Sequence, residues 1–83
     1  MARTTVTVRL SGVLAERLGH RRALEFAPDA TVADVVAEVG SLAGLEPPAL
    51  GGLAVVSDGS FVRRDRAVAD GEELDVLVPV AGG

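Results

Sequence analysis

The chain has 83 residues, which excludes a multidomain enzyme, because one hydrophobic core already occupies roughly 50 to 200 residues. Hydrophobic residues make up 48% and charged residues 24%, a balance that folds rather than staying disordered but leaves little room for a deep active site beside the core. The net charge is −4 and the basic side chains are arginines plus the single His20, so neither nucleic acid nor an anionic membrane is an expected partner.

Met1 to Leu10 carries arginines among threonines and valines rather than an apolar leader core, and nowhere is there an apolar run of the roughly 18 residues that a membrane span requires. A soluble, cytoplasmic protein is expected. From Thr5 to Leu10, Val6, Val8 and Leu10 alternate with Thr5, Thr7 and Arg9, the period of two of a half-buried strand. Val13, Leu14 and Leu18 then follow at helical spacing and run into Gly19, which predicts a short helix over Gly12 to Leu18. Arg22 to Ala27, with Leu24 and Phe26 around Glu25, reads as a second strand pairing back on the first and stopped by Pro28-Asp29.

The main helix begins at Thr31, which with Asp34 three residues on resembles a capping box. Val32, Val35, Val36, Val39 and Leu42 fall on one stripe of the helical wheel and form its expected core face, with Asp34, Glu38 and Ser41 opposite. Gly44 and Pro47-Pro48 end the helix and open a loop to Gly52. Leu53 to Val56 is a strand, Asp58-Gly59 a tight turn and Ser60 to Val62 the partner strand. After a second Asp-Gly pair at 70 and 71, Glu73 to Val78 is the last strand, with Leu74, Val76 and Val78 on one face and Glu73, Asp75 and Leu77 on the other.

About five strands and one valine-striped helix bury both apolar faces only as two layers, the helix lying across one face of a single mixed sheet. This is an α+β roll. With the first and last strands side by side at the centre it becomes the β-grasp, or ubiquitin-like, architecture. Residues 1–79 form that domain and residues 80–83 an extended tail, because Pro79 cannot donate to a ladder and Val80-Ala81-Gly82-Gly83 carries no turn or cap signal.

The residues that usually carry chemistry are nearly missing. Without cysteine there is no disulfide, thiolate metal site or thiol nucleophile; one histidine and no glycine-rich phosphate loop leave no catalytic triad or nucleotide cradle. His20 and the Glu72-Glu73 pair read as exposed turn residues. Arg63, Arg64 and Arg66 sit on a short connection, either solvated or docking an acidic partner surface, and Leu77, apolar on an otherwise polar strand face, is a candidate docking residue. All the basic residues besides His20 being arginine, no side-chain amine is available to accept an isopeptide bond.

Chemistry is therefore expected at the tail. Gly82 and Gly83 have no Cβ, so they can pass a slot too narrow for other residues and leave the Gly83 carbonyl open to a nucleophile from either face. The stretches Ala69-Asp70-Gly71-Glu72-Glu73-Leu74 and Leu77-Val78-Pro79-Val80-Ala81-Gly82-Gly83 resemble the C-terminal signature of ThiS/MoaD-type sulfur carriers. So do Val6-Thr7-Val8-Arg9-Leu10, the helix ending Arg17-Leu18-Gly19, and Ala30-Thr31-Val32. The resemblance implies a carrier, not a catalyst, whose Gly83 carboxylate is adenylated by a separate ubiquitin-activating-like adenylyltransferase using ATP and magnesium. A sulfur donor protein then converts it to a thiocarboxylate that supplies a sulfur-accepting synthase in cofactor, thiamine, cysteine or specialised-metabolite biosynthesis. Pro79, Val80, Ala81, Leu77, Arg63 and Arg64 would bind partners, with no cofactor or metal held by the carrier itself. The alternatives are the small subunit of molybdopterin synthase and a ubiquitin-like protein modifier or binding module.

Overall fold

The computed structural model describes residues 3–78. Among them the chain runs β1 (Thr4–Leu10), α1 (Gly12–Leu18), β2 (Arg21–Phe26), α2 (Val32–Ala43), α3 (Pro47–Leu50), β3 (Ala54–Ser57), β4 (Ser60–Phe61) and β5 (Glu73–Leu77). The strands form a single sheet in the order β2-β1-β5-β3-β4. Its central pair, β1 and β5, is parallel, with Val8 beside Leu74 and Leu10 beside Val76, and the remaining pairs are antiparallel. This is the mixed β-grasp sheet, in which the first and last strands meet at the centre.

The period of two does the layering. Val6, Val8, Leu10, Val55, Leu74 and Val76 point to one face and are buried there with Val32, Val35, Val36 and Val39 of α2. The predicted stripe needs one correction, because Leu42 is 41% exposed while Gly40 and Ala43 are buried. At about 100° per residue, Ala43 lies near the middle of the valine arc, and Gly40 and Leu42 flank it on opposite sides. The smaller Gly40 side turns inward because Leu50 of α3 packs there: a Cβ built on Gly40 would meet the Leu50 side chain at 2.2 Å.

The helix α2 starts as a capping box, with the Asp34 carboxylate accepting the Thr31 N–H at 2.8 Å. Two further N–H groups of its first turn, on Val32 and Ala33, donate to the carbonyls of Arg66 and Arg64, both at 2.9 Å. Gly44 ends the helix in the left-handed region at φ 74, where a side chain is costly. The expected loop from Gly44 to Gly52 instead contains α3, since two prolines at a first helical turn lose no needed donor and have φ already set. The Asp58-Gly59 turn has φ 52 and 78, positive at both positions as the two-residue hairpin turn between β3 and β4 requires.

Candidate functional site

The face of the sheet turned away from α2 divides into two halves. On β2, β1 and β5 it is polar and ion-paired: Arg9 grips Asp75 with two hydrogen bonds of 2.6 and 3.0 Å, and Arg21 reaches Glu73. The Asp75 carboxylate pushes the Arg9 guanidinium above its ordinary value, first through the hydrogen bond and then through charge. From Leu77 at the end of β5 across β3 and β4 the same face is apolar, with Asp75 at its border opposite Val56. Leu77 stands opposite Ala54, and Val56 on the same strand as Ala54 stands opposite Phe61, by the registers of the two ladders. Leu77 is 37% and Phe61 78% exposed.

Leu77 is therefore where the alternation placed it, outward on β5, but it is one of a group rather than alone. Ala54, Val56 and Phe61 complete the patch, and the sequence concealed them because Leu53-Ala54-Val55-Val56 is a continuous apolar run in which neither face is marked. The signal that could have found Phe61 is its place just after the Asp58-Gly59 turn, which fixes the pairing of Val56 with Phe61.

The arginines separate. Arg63 is exposed and pairs with Asp65 at 3.3 Å, and with Val62 and Arg64 they line an open depression beside β4. Arg64 turns inward: its Nη2 donates to the carbonyls of Leu53 at 2.5 Å and Leu50 at 3.2 Å, tying the connection to α3 and the start of β3. Arg66 holds Glu72. The Glu72-Glu73 pair read as solvated, and for Glu72 this is corrected, since its side chain is 12% exposed. Its carboxylate accepts hydrogen bonds from Arg66, from the Ser57 hydroxyl at 2.9 Å and from the Ala69 N–H at 3.0 Å. Arg66 foremost brings its pKa down to about 2 against the opposing effect of burial. Glu72 thus anchors the entry to β5, while its carbonyl accepts the Thr7 N–H at 2.9 Å.

That anchorage positions the exit. Because β5 runs parallel to β1 and antiparallel to β3, its last residue Leu77 lies beside the start of β3 and just past the level of Leu10 at the end of β1. Val78 follows, half-buried against the core. The expected site residues Pro79, Val80, Ala81, Gly82 and Gly83 lie outside the described residues. Among the described residues no cluster of three His, Cys, Asp or Glu is placed to hold a metal ion, and no helix is long and apolar enough to cross a membrane.

Comparison with known proteins follows the same line. The model of the ThiS family matches residues 8–83. Among solved structures, SAMP1 from Haloferax volcanii is 26% identical with a TM-score of 0.77, covering 95% of this chain and 99% of that one. The ubiquitin of Caldiarchaeum subterraneum is 21% identical with a TM-score of 0.72, covering 99% and 100%. A putative molybdopterin converting factor subunit 1 from Pyrococcus furiosus is 19% identical with a TM-score of 0.75, covering 93% and 99%. At these two lower identities the likeness is one of fold. No curated protein sequence matches the chain.

Proposed function

The chain belongs to the ThiS family of small ubiquitin-like carriers and modifiers, and on that footing we propose that it is a sulfur carrier whose Gly83 carboxylate is activated and thiolated. The observation that carries this reading is that the family match runs through the Gly82-Gly83 pair rather than stopping at the sheet. The Gly83 carboxylate oxygen attacks the α-phosphorus of ATP, releasing pyrophosphate and forming an acyl adenylate; hydrosulfide delivered by a donor protein then adds to that carbonyl, the C–O bond to AMP breaks, and the sulfur's proton passes to water to leave the Gly83 thiocarboxylate. The intermediate is needed because a free carboxylate is a poor electrophile and AMP a good leaving group. ATP and magnesium belong to the activating enzyme in this scheme, and the carrier is a co-substrate.

The apolar half of the sheet face supplies what a four-residue tail cannot. Fixing one residue in a single conformation costs on the order of 1 to 2 kcal/mol, so a peptide of four residues binds weakly by itself. Docking of Leu77, Ala54, Val56 and Phe61 on the adenylyltransferase would place the tail at high effective concentration beside the nucleotide. Protein from its own cytoplasm, before and after incubation with activating enzyme, ATP, magnesium and sulfur donor, is tested by intact mass. A gain of about 16 Da at Gly83, oxygen replaced by sulfur, supports the carrier. An unchanged mass with no adenylate formed overturns it.

The likeness to SAMP1 favours a second reading, attachment to other proteins, and a ladder of conjugates in the same experiment would support that modifier role. With all eight Lys-or-Arg residues being arginine, such a modifier could not build chains through isopeptide bonds to its own side chains.

A further inference from the structure

The strand β2 lies at one edge of the sheet and pairs only with β1 among the described residues. The phase of that ladder decides which of its backbone groups are free. The Leu10 N–H donates to the His20 carbonyl at 2.9 Å, and from this hydrogen-bonded pair the even-numbered residues Arg22, Leu24 and Phe26 turn their N–H and C=O groups toward β1. Arg21, Ala23 and Glu25 turn theirs outward. All three are exposed, so the edge is an uncovered template for another strand.

Proteins commonly blunt such an edge with charged side chains, lysine above all, which repel when two copies meet. Here the outward residues are one arginine and one glutamate flanking an alanine, which is self-complementary. We propose that two copies of this chain pair antiparallel through β2 about Ala23, joining two five-stranded sheets into one. With Ala23 opposite its own copy, Arg21 of one chain stands opposite Glu25 of the other, twice by symmetry. This register also matches outward-pointing backbone groups to one another, giving six N–H to C=O hydrogen bonds, and it keeps each chain's helices on the same side. A shift of two residues along the partner keeps the backbone match but sets Glu25 against Ala23 and loses both charge pairs, so charge selects the register. The smallest side chain lies on the axis, where the copies come closest.

Arg21 and Glu25 now contact Glu73 and Arg3, the latter pair at 2.9 Å, but both pairs are exposed and such contacts exchange at little cost. The β4 edge and the apolar half-face with Leu77 and Phe61 lie at the other end of the sheet order and stay open in the dimer, so each copy can engage an activating enzyme independently.

Sedimentation equilibrium from roughly 10 μM to 1 mM suits an interface at the small end of the stable range. The wild type is expected to dimerise reversibly across it. Arg21→Glu sets two glutamates together and Glu25→Arg two arginines, and each should weaken the dimer about tenfold or more. An equimolar mixture of the two variants restores both opposite-charge pairs and should form a heterodimer. Ala23→Pro removes the central outward donor without touching the β1 ladder and should be monomeric, with its far-ultraviolet circular dichroism unchanged. A wild type that stays monomeric throughout, single variants that dimerise as the wild type does, or a mixture that fails to associate would each overturn the proposal.

Discussion

Replacing Glu72 with glutamine removes a charge from a nearly enclosed site and tests whether the entry to β5 is held electrostatically. The carboxylate is 12% exposed, accepts from Arg66, Ser57 and Ala69, and titrates at about 2 in the folded protein against an ordinary 4.5. At about 1.4 kcal/mol per pH unit the difference amounts to roughly 3.5 kcal/mol as an upper value. Because Arg66 is itself 38% exposed, solvent screening reduces this to about 2 kcal/mol. For a domain of this size that corresponds to a fall of about 10 °C in Tm for Glu72→Gln at pH 7. The sign of the pH dependence is fixed: a carboxylate with a depressed folded pKa stabilises above its unfolded value, and that stability is lost as pH falls through the folded one. The gap between wild type and variant should therefore be full above about pH 4.5, narrow below it and vanish near pH 2. Thermal melts followed by far-ultraviolet circular dichroism measure it, the chain having no Trp or Tyr for fluorescence. Parallel pH profiles for the two proteins would refute the assignment of stability to the Glu72 charge.

Leu77→Asp should change stability by less than about 0.5 kcal/mol, as expected at an exposed position, while weakening calorimetric binding to the activating enzyme; a large loss of stability with binding intact would refute the docking role. Leu74→Ala, three positions earlier on the buried face, should cost about 2 to 5 kcal/mol in urea denaturation, since its side chain is fully enclosed. At the β3–β4 turn, Gly59→Ala should cost about 1 kcal/mol by the same assay, the expense coming from φ 78 alone because a Cβ there would meet nothing within 4 Å.

Local chemistry was legible in the residues themselves. Alternation in Thr5 to Leu10 and Glu73 to Val78, the Thr31/Asp34 cap, Gly44 and Asp58-Gly59 each act over a few positions, so their outcome hardly depends on the rest of the chain. The two-layer arrangement followed because a striped helix and half-buried strands have few ways to enclose each other. What the tertiary structure decided involves residues that belong to different elements. Leu42 lost its place in the core to Gly40 and Ala43 because α3, hidden in an expected loop, packs Leu50 against Gly40. Glu72 became an anchor because Arg66 and Ser57 converge on it from the β3–β5 side of the sheet. Phe61 and Val56 joined Leu77 through ladder register, which a uniform apolar run cannot encode. The common reason is that periodicity says which side of an element is apolar, whereas what covers that side, or leaves it open to a partner, is set by strand order and by the distant groups that strand order brings together.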